Sequence, residues 1–408
     1  MQLKELTLEE FQNFYDKHPL RNYCQTINYA LVMGQFDYNY ELIGLVDNDH
    51  IYAASIILIK RVGLKSYFAY APKGFLVDYT DEELFTKFID LIKKYYSKKN
   101  CIFIKINPEI AVGELNSKSG NIDYNNNYQI NNILQKNGFI NVGVNQDFDE
   151  TLFPSFTGIV PLKDFGISKV SKNTRNKVRK AIRMGLTSKI GDINDLKIIK
   201  RFMPSLDDFY YEDFYNSFAK NNLVDVITVS IDPETYLSNI QRAFEKEQSI
   251  NAKLAQRIIN NNTNRNINKK MNSDRALLSY KNEIVAATNM LKENKPEIIA
   301  GAIVVKDGSR VQIIASGFNK EYKRFVPNYY LYYAILNYYK DEYLYADLNG
   351  ISNNFSKDSK YHGLNRFKMG FNPKVYELIG EHDLILSPNN YRMLFDDSFI
   401  SKIYKSLK

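Results

Sequence analysis

The chain has 408 residues, of which 44% are hydrophobic and 25% charged, and its formal net charge is +8. That length exceeds one ordinary core, so two domains with room for an appendage are expected, and the composition excludes a disordered or fibrous chain. The two cysteines, Cys24 and Cys101, exclude a disulfide scaffold and a zinc cluster. No apolar run reaches membrane-span length and the N-terminus lacks a signal pattern, so a soluble, cytoplasmic protein is expected, its basic balance suited to an anionic partner.

Residues 41–46 and 51–59 read as two strands around the turn Asp47-Asn48-Asp49-His50. A third strand at 66–70 runs into Ala71-Pro72-Lys73-Gly74. The helix that follows has Thr80 as its cap, and Asp81, Glu82 and Glu83 suit its first turn. Leu84, Phe85, Phe88, Ile89, Leu91 and Ile92 form its apolar stripe. Cys101 to Asn107 is a strand stopped by Pro108.

Residues 169–184 read as a basic helix carrying Lys169, Lys172, Arg175, Lys177, Arg179, Lys180 and Arg183, with Val178, Ala181 and Ile182 as a thin apolar face. Such charges suit a phosphate-bearing partner, and taken singly each also suits a solvated surface. Further on, Leu237, Ile240, Phe244, Leu254 and Ile258 share a helical face interrupted by a polar gap at Glu247 and Asn251. After the Asn-rich run 260–266, a second stripe follows at Leu277, Tyr280, Ile284, Ala287 and Leu291. Two such stretches predict an antiparallel helical hairpin, its first helix about 25 residues long and reaching roughly 38 Å.

Strands at 298–305 and 311–315, a Tyr-rich helix at 329–339 and a strand at 343–348 then repeat the earlier order of elements. That repetition predicts a duplicated α/β fold: one domain over 1–150, a second over 151–408, and the helical arm, 234–292, inserted in the second. After the last strand comes Arg366-Phe367-Lys368-Met369-Gly370-Phe371. A lysine between aromatics offers fixed positive charge in a partly apolar setting, which suits an oxyanion or a phosphate. Phe367 and Phe371, four apart, equally suit core anchors, and Asp347 at a strand end suits either an amine or the turn after it. His362 reads as structural.

In order and spacing these segments resemble the FemABX aminoacyltransferases of bacterial cell-wall synthesis. The resemblance runs through Tyr23-Cys24-Gln25-Thr26, Tyr70-Ala71-Pro72-Lys73-Gly74, Ile104-Lys105-Ile106-Asn107-Pro108-Glu109, Thr174 to Ala181, Asp347 to Ile351 and Arg366 to Phe371. It implies two GNAT-like acyltransferase domains of α/β (α+β) class and a coiled-coil arm. It also implies transfer of an amino acid from aminoacyl-tRNA to the stem-peptide lysine amine of a peptidoglycan precursor, either lipid II or a nucleotide-linked muropeptide, with peripheral contact at the inner membrane surface. Lys368 and Asp347 are then the catalytic candidates. Tyr70, Pro72, Lys73, Gly74, Arg366 and Phe367 are expected to bind substrate, and Arg175, Arg179, Lys180 and Arg183 tRNA or phosphate. Neither a metal nor a cofactor is expected. The sequence departs from the family pattern at Lys73, where arginine is common, at Asn107, where aspartate is common, and at Met33, where some members carry a precursor-contacting lysine.

An aminoacyl ester is already activated. The main costs are deprotonating the acceptor, roughly 4.6 kcal/mol at pH 7 for an unperturbed lysine, alignment, and charge on the carbonyl oxygen. An acyl-CoA-dependent N-acetyltransferase would need a pyrophosphate-holding Gly-rich loop, of which no convincing copy is present. A non-catalytic RNA-binding protein would use only the arm and the basic helix.

Overall fold

Alternating and fully buried β-branched runs organise the chain into two sheets, and the computed structural model describes residues 1–63, 65–142, 151–204, 209–293 and 297–396. The expected domain boundary at residue 150 lies outside the described residues. The first half runs β1 (Gln2–Glu5), α1 (Leu8–Tyr15), α2 (Ile27–Gly34), β2 (Asn39–Asp47), β3 (His50–Arg61), β4 (Tyr67–Ala71), α3 (Glu82–Lys98), β5 (Cys101–Ile106), β6 (Ala111–Leu115), β7 (Ile122–Tyr124), α4 (Ile130–Lys136) and β8 (Phe139–Asn141). Next come β9 (Phe156–Pro161), α5 (Lys172–Arg183), β10 (Leu186–Gly191), α6 (Ile193–Ile199), α7 (Tyr210–Ala219), β11 (Val224–Ile231), α8 (Pro233–Asn260) and α9 (Asn264–Glu293). The last part comprises β12 (Glu297–Asp307), β13 (Arg310–Phe318), α10 (Pro327–Tyr339), β14 (Tyr345–Gly350), α11 (His362–Lys368), β15 (Lys374–Leu378), β16 (His382–Ile385) and α12 (Pro388–Asp396).

The first sheet has the order β1-β2-β3-β4-β5-β16-β8 and the second β10-β11-β12-β13-β14-β9-β15-β6-β7. In each, an antiparallel meander leads through a helix to a parallel strand: β4 to β5 across α3, and β13 to β14 across α10. The repeated order read from the sequence is thus present in the topology. A single cut at residue 150 does not separate the sheets, however. β6 and β7 join the second sheet, and β16, near the far end of the chain, pairs between β5 and β8 in the first. Buried Lys105 on β5 fixes that return, with its Nζ 2.8 Å from Asp383 and 3.4 Å from Glu381.

Several local expectations need correction. Asp81, not Thr80, caps α3, its carboxylate accepting from Leu84 N at 3.0 Å. Thr80 is occupied one turn earlier, donating its N–H and hydroxyl to Asp78. The basic helix starts at Lys172 rather than Lys169, because Ser171 caps it by accepting from Thr174 N.

α8 and α9 are joined by residues 261–263 and lie against each other, the 28 residues of α8 spanning about 42 Å. The polar gap in the apolar stripe is a hydrogen-bonded layer. Buried Ser273 donates to Glu247 at 2.5 Å and accepts from Asn251, which also reaches Asp274 at 2.8 Å. Satisfied polar groups between helices fix register, because a slipped pairing would bury them without partners. At its root the pair is not independent of the domain. Tyr236, Ile240 and Ala287 belong to the core of the second sheet, with the Tyr236 ring edge-on to Phe325 at 5.3 Å.

Candidate functional site

The loop leaving β4 is held rigid from two sides. Asn107, just past β5, accepts from Lys73 N at 2.8 Å and from the Tyr70 hydroxyl at 3.1 Å. Fully buried Gln25 donates to the carbonyls of Pro72 and Ile56, and its own oxygen accepts from Ile56 N and the Ser55 hydroxyl. A Cβ on Gly74 would come within 2.8 Å of the Gln25 amide nitrogen, so only glycine lets this latch close. Lys73 sits at φ 54° and is buried, its Nζ 4.6 Å from the centroid of the Phe153 ring. Asn107 is therefore a brace for the loop, and an amide there has no basic lone pair to take a proton.

On the second sheet, β13 and β14 pair over only three residues, Arg310–Gln312 against Tyr345–Asp347, and then part. Asp347 is buried at the point of parting. It accepts from the Thr157 hydroxyl at 2.5 Å and from Asn349 N at 2.7 Å. Burial pushes its carboxyl above the ordinary value and Glu109 adds to the rise, while Thr157 and Arg310 oppose it. Lys368 closes α11 and is also buried, donating to the Gly350 carbonyl at 2.7 Å. Burial brings its ammonium down to about 8, against the attraction of Asp347.

Asn365 sets the height of α11. Its side chain bonds both backbone groups of Ser352 and the Asn354 carbonyl, welding the loop after β14 to the helix that carries Lys368. Gly370 completes the motif: a Cβ there would lie 2.2 Å from the Thr174 hydroxyl, and its carbonyl accepts from Ser171 N. The start of the basic helix thus docks directly on the end of the lysine motif.

The two halves meet through Glu109 and Arg310, 2.7 Å apart, with Asn22 donating to the same carboxylate. Burial raises the Glu109 carboxyl, but Arg310 and Lys73 more than offset it and it lies below the ordinary value. The result is a row of alternating charge, Lys73, Glu109, Arg310, Asp347, Lys368, each felt electrostatically by the next. A buried row of this kind is stable only with every partner in place. A second bond across the halves, Arg21 to Asp307 at 2.8 Å, lies beside it.

Where the strands part, a cavity of about 500 Å³ opens between Ser316 to Phe318 on β13, Leu331 and Tyr332 on α10, and Leu364 and Phe367 on α11. Phe367 packs on Tyr329 and Tyr332 at 5.0 and 4.7 Å while lining this cavity, so it serves core and cleft together. Arg366 is exposed and His362 half-buried. Along α5 the basic residues divide. Arg175 is committed within the molecule, donating to the carbonyls of Ser168 and Val170. Lys177 lies 3.9 Å over the Tyr329 ring. Arg179 and Arg183 face solvent and Lys180 is half-buried.

The structure therefore brings Lys73, Asp347 and Lys368 into one electrostatic group and leaves Arg179 and Arg183 on an outer flank. Sequence reasoning missed Arg310, Thr157 and the role of Glu109. Glu109 and Arg310 are 201 residues apart, and no local pattern pairs them.

The two-sheet α/β architecture carries a buried lysine and carboxylate where β13 and β14 part, and the whole-chain comparison gives its class: residues 6–395 match the FemAB family, and the chain belongs to it. Among characterised relatives, the chain is 23% identical to the lipid II:glycine glycyltransferase of Staphylococcus aureus, over 97% of this chain and 95% of that protein. The crystal structure of FemX superimposes with a TM-score of 0.75 at 22% identity, covering 97% of this chain and 100% of that one, which establishes the shared fold.

Proposed function

We propose that this FemAB-family aminoacyltransferase moves an amino acid from aminoacyl-tRNA to the side-chain amine of a stem-peptide lysine on a lipid-linked peptidoglycan precursor, building the interpeptide bridge. The observation that carries the reading is the Lys368 ammonium, buried where β13 and β14 part and held on the Gly350 carbonyl beside Asp347. Family membership and the glycyltransferase relative support the reaction class. The parallel β-α-β crossover repeated in the two sheets supports a GNAT-like reading of each.

In this mechanism the acceptor nitrogen attacks the ester carbonyl, an N–C bond forms, and the C–O bond to the tRNA ribose breaks. The departing ribose oxygen takes up the amine proton. Lys368 stabilises negative charge as it develops on the carbonyl oxygen, a role that a buried, pre-positioned ammonium performs without reorganisation. The buried Asp347 carboxylate orients the acceptor amine. The rigid loop Tyr70 to Gly74, with Lys73 in the charge row, forms the wall facing the precursor. Phe367 presents the cavity where the donor terminus is read, and Arg366, Arg179, Lys180 and Arg183 supply charge for tRNA phosphates at the outer flank. The protein works at the cytoplasmic face of the membrane in peripheral contact with the lipid. No helix among the described residues is long and apolar enough to span it.

The test is to incubate the purified protein with mixed charged tRNAs and either lipid-linked or nucleotide-linked precursor, and to weigh the products. A mass gain of one or more amino-acid residues on the lysine of the lipid-linked form is expected. No gain with any charged tRNA, or a gain that persists after the tRNA is deacylated, refutes the reading.

A further inference from the structure

A separate cavity of about 500 Å³ lies in the notch between the two sheets, lined by Tyr124, Tyr128, Asn131, Gln135, Glu377 and His382. The pleat places it away from the charge row. Tyr376 pairs with Thr157 and shares the face of Asp347, so the next residue, Glu377, points the opposite way. Glu381, just before β16, and Asp383 on it turn to Lys105, and His382 between them lines the notch.

Three strands then build one wall. Glu377 pairs with Gly113, and Gly113 pairs with Tyr124, so carboxylate, bare backbone and phenol stand in a row. A Cβ on Gly113 would come within 2.5 Å of Ile122 and 3.2 Å of the Tyr124 ring. The glycine thus lets Ile122 and Tyr124 pack directly over its backbone, which keeps the Tyr124 phenol beside Glu377. Tyr128 joins Tyr124 at a centroid distance of 4.4 Å, and both rings are about half exposed, at 49% and 50%.

Two buried polar atoms bordering this space are only weakly partnered within the chain. His382 is 2% exposed; its ring meets the Gly380 backbone and lies 3.4 Å from Asn141 Nδ2, and Glu377 meets the Tyr124 phenol, but neither His382 Nδ1 nor Glu377 Oε2 makes a hydrogen bond of normal geometry. Buried polar groups left in this state cost stability, and a ligand that bonds them recovers that cost. Burial keeps the imidazole neutral, its pKa pushed down to about 4. Among the described residues no lysine or arginine lines the cavity, and the Glu377 carboxylate repels phosphate.

We propose that this cavity is a second binding site, for an uncharged saccharide. A pyranose offers an apolar C–H face for the Tyr124–Tyr128 platform and a rim of hydroxyls for Glu377, His382 and the amides of Asn131 and Gln135. An ammonium group would suit two tyrosines and a carboxylate, but it would fill a small part of the space and leave the amides and the neutral imidazole unused. The inference goes beyond the transfer reaction and does not depend on it.

The experiment uses the full chain and N,N′-diacetylchitobiose as probe, with saturation-transfer NMR for contact and calorimetry for Kd, on wild type, Tyr128→Ala and Glu377→Gln. Tyr128 is exposed, so its truncation leaves the fold intact by circular dichroism. Saturable binding is expected, weakened roughly two- to twelvefold by Tyr128→Ala, the worth of one aromatic contact, and about tenfold by Glu377→Gln. Absence of saturable binding up to about 20 mM sugar overturns the proposal, as does equal affinity in all three proteins, or choline binding more tightly than the sugar at the same residues. Two sources of sugar separate in a further arm. If the sugar belongs to the transfer acceptor, Tyr128→Ala raises KM for a disaccharide-bearing precursor; if it belongs to another glycan, chitobiose binding falls while that KM stays. Because sugar binding is measured without transfer, a protein inactive in transfer still tests this site.

Discussion

Replacing Lys368 with methionine tests the catalytic reading most sharply, because the reading commits to both the size of the effect and its pH dependence. Methionine keeps most of the stem volume and removes the charge. Loss of one pre-positioned oxyanion donor lowers the rate about 100- to 1,000-fold. Precursor affinity changes little, because the stabilised charge belongs to the transition state. Two stability effects oppose each other. The Gly350 carbonyl loses its donor, which costs about 1–3 kcal/mol, and the penalty of burying an ammonium disappears. The thermal midpoint should therefore move only modestly.

The pKa supplies the second arm of the test. With Lys368 at about 8, about 90% of the side chain is cationic at pH 7 and about 10% at pH 9. A cation that stabilises the oxyanion makes the wild-type to Lys368→Met rate ratio fall about tenfold between those pH values, with its midpoint near 8. Taking the ratio cancels the rise in rate from deprotonation of the acceptor amine. The assay is single-turnover transfer from labelled aminoacyl-tRNA at saturating donor, fast enough to precede alkaline hydrolysis of the ester. A folded Lys368→Met enzyme with wild-type rate refutes the catalytic assignment. A ratio that climbs through pH 8 refutes the electrostatic role and makes the neutral amine a base.

Arg310→Met should destabilise the protein by about 3–5 kcal/mol in urea unfolding, because it strands Glu109. In the wild type the Glu109 carboxyl lies below its ordinary 4.5, so its contribution is complete above that pH and is lost on acidification. Without Arg310 burial raises that pKa, so the variant should gain stability relative to wild type between pH 7 and 5; a parallel pH response in both proteins would contradict the pairing. Charge reversal at Arg179, Lys180 and Arg183 should weaken tRNA binding with a shallower salt slope, whereas Arg175→Glu should lower the thermal midpoint by releasing the carbonyls of Ser168 and Val170. Filter binding across a salt series, with calorimetry for stability, separates the two. Replacing 245–278 with a short linker should leave the protein folded, while removing 234–292 also takes Tyr236, Ile240 and Ala287 from the core and should destabilise it severely. Equal melting of the two truncations would show that the arm's root contributes nothing.

The elements themselves were legible in the sequence, since strand alternation, the stripe of α3 and the two stripes of the arm arise from periodicities of two and 3.6 that need no distant partner. The Arg366–Phe371 segment also stood out, because a lysine set among aromatics is a local chemical statement, whereas Tyr70–Gly74 was picked out only by the family resemblance. Tertiary structure decided how these pieces meet. β16 inserts beside β5 because Asp383 and Glu381 find buried Lys105, and β6 and β7 leave the first sheet for the second. Glu109 reaches Arg310 across 201 residues, turning separate motifs into one charge row. The polar gap at Glu247 and Asn251 looked like a fault in an apolar stripe until Ser273 from the facing helix filled it. A pairing between distant residues is set by the free energy of burying charges and polar groups together, and that free energy exists only once the chain has brought them within hydrogen-bonding distance.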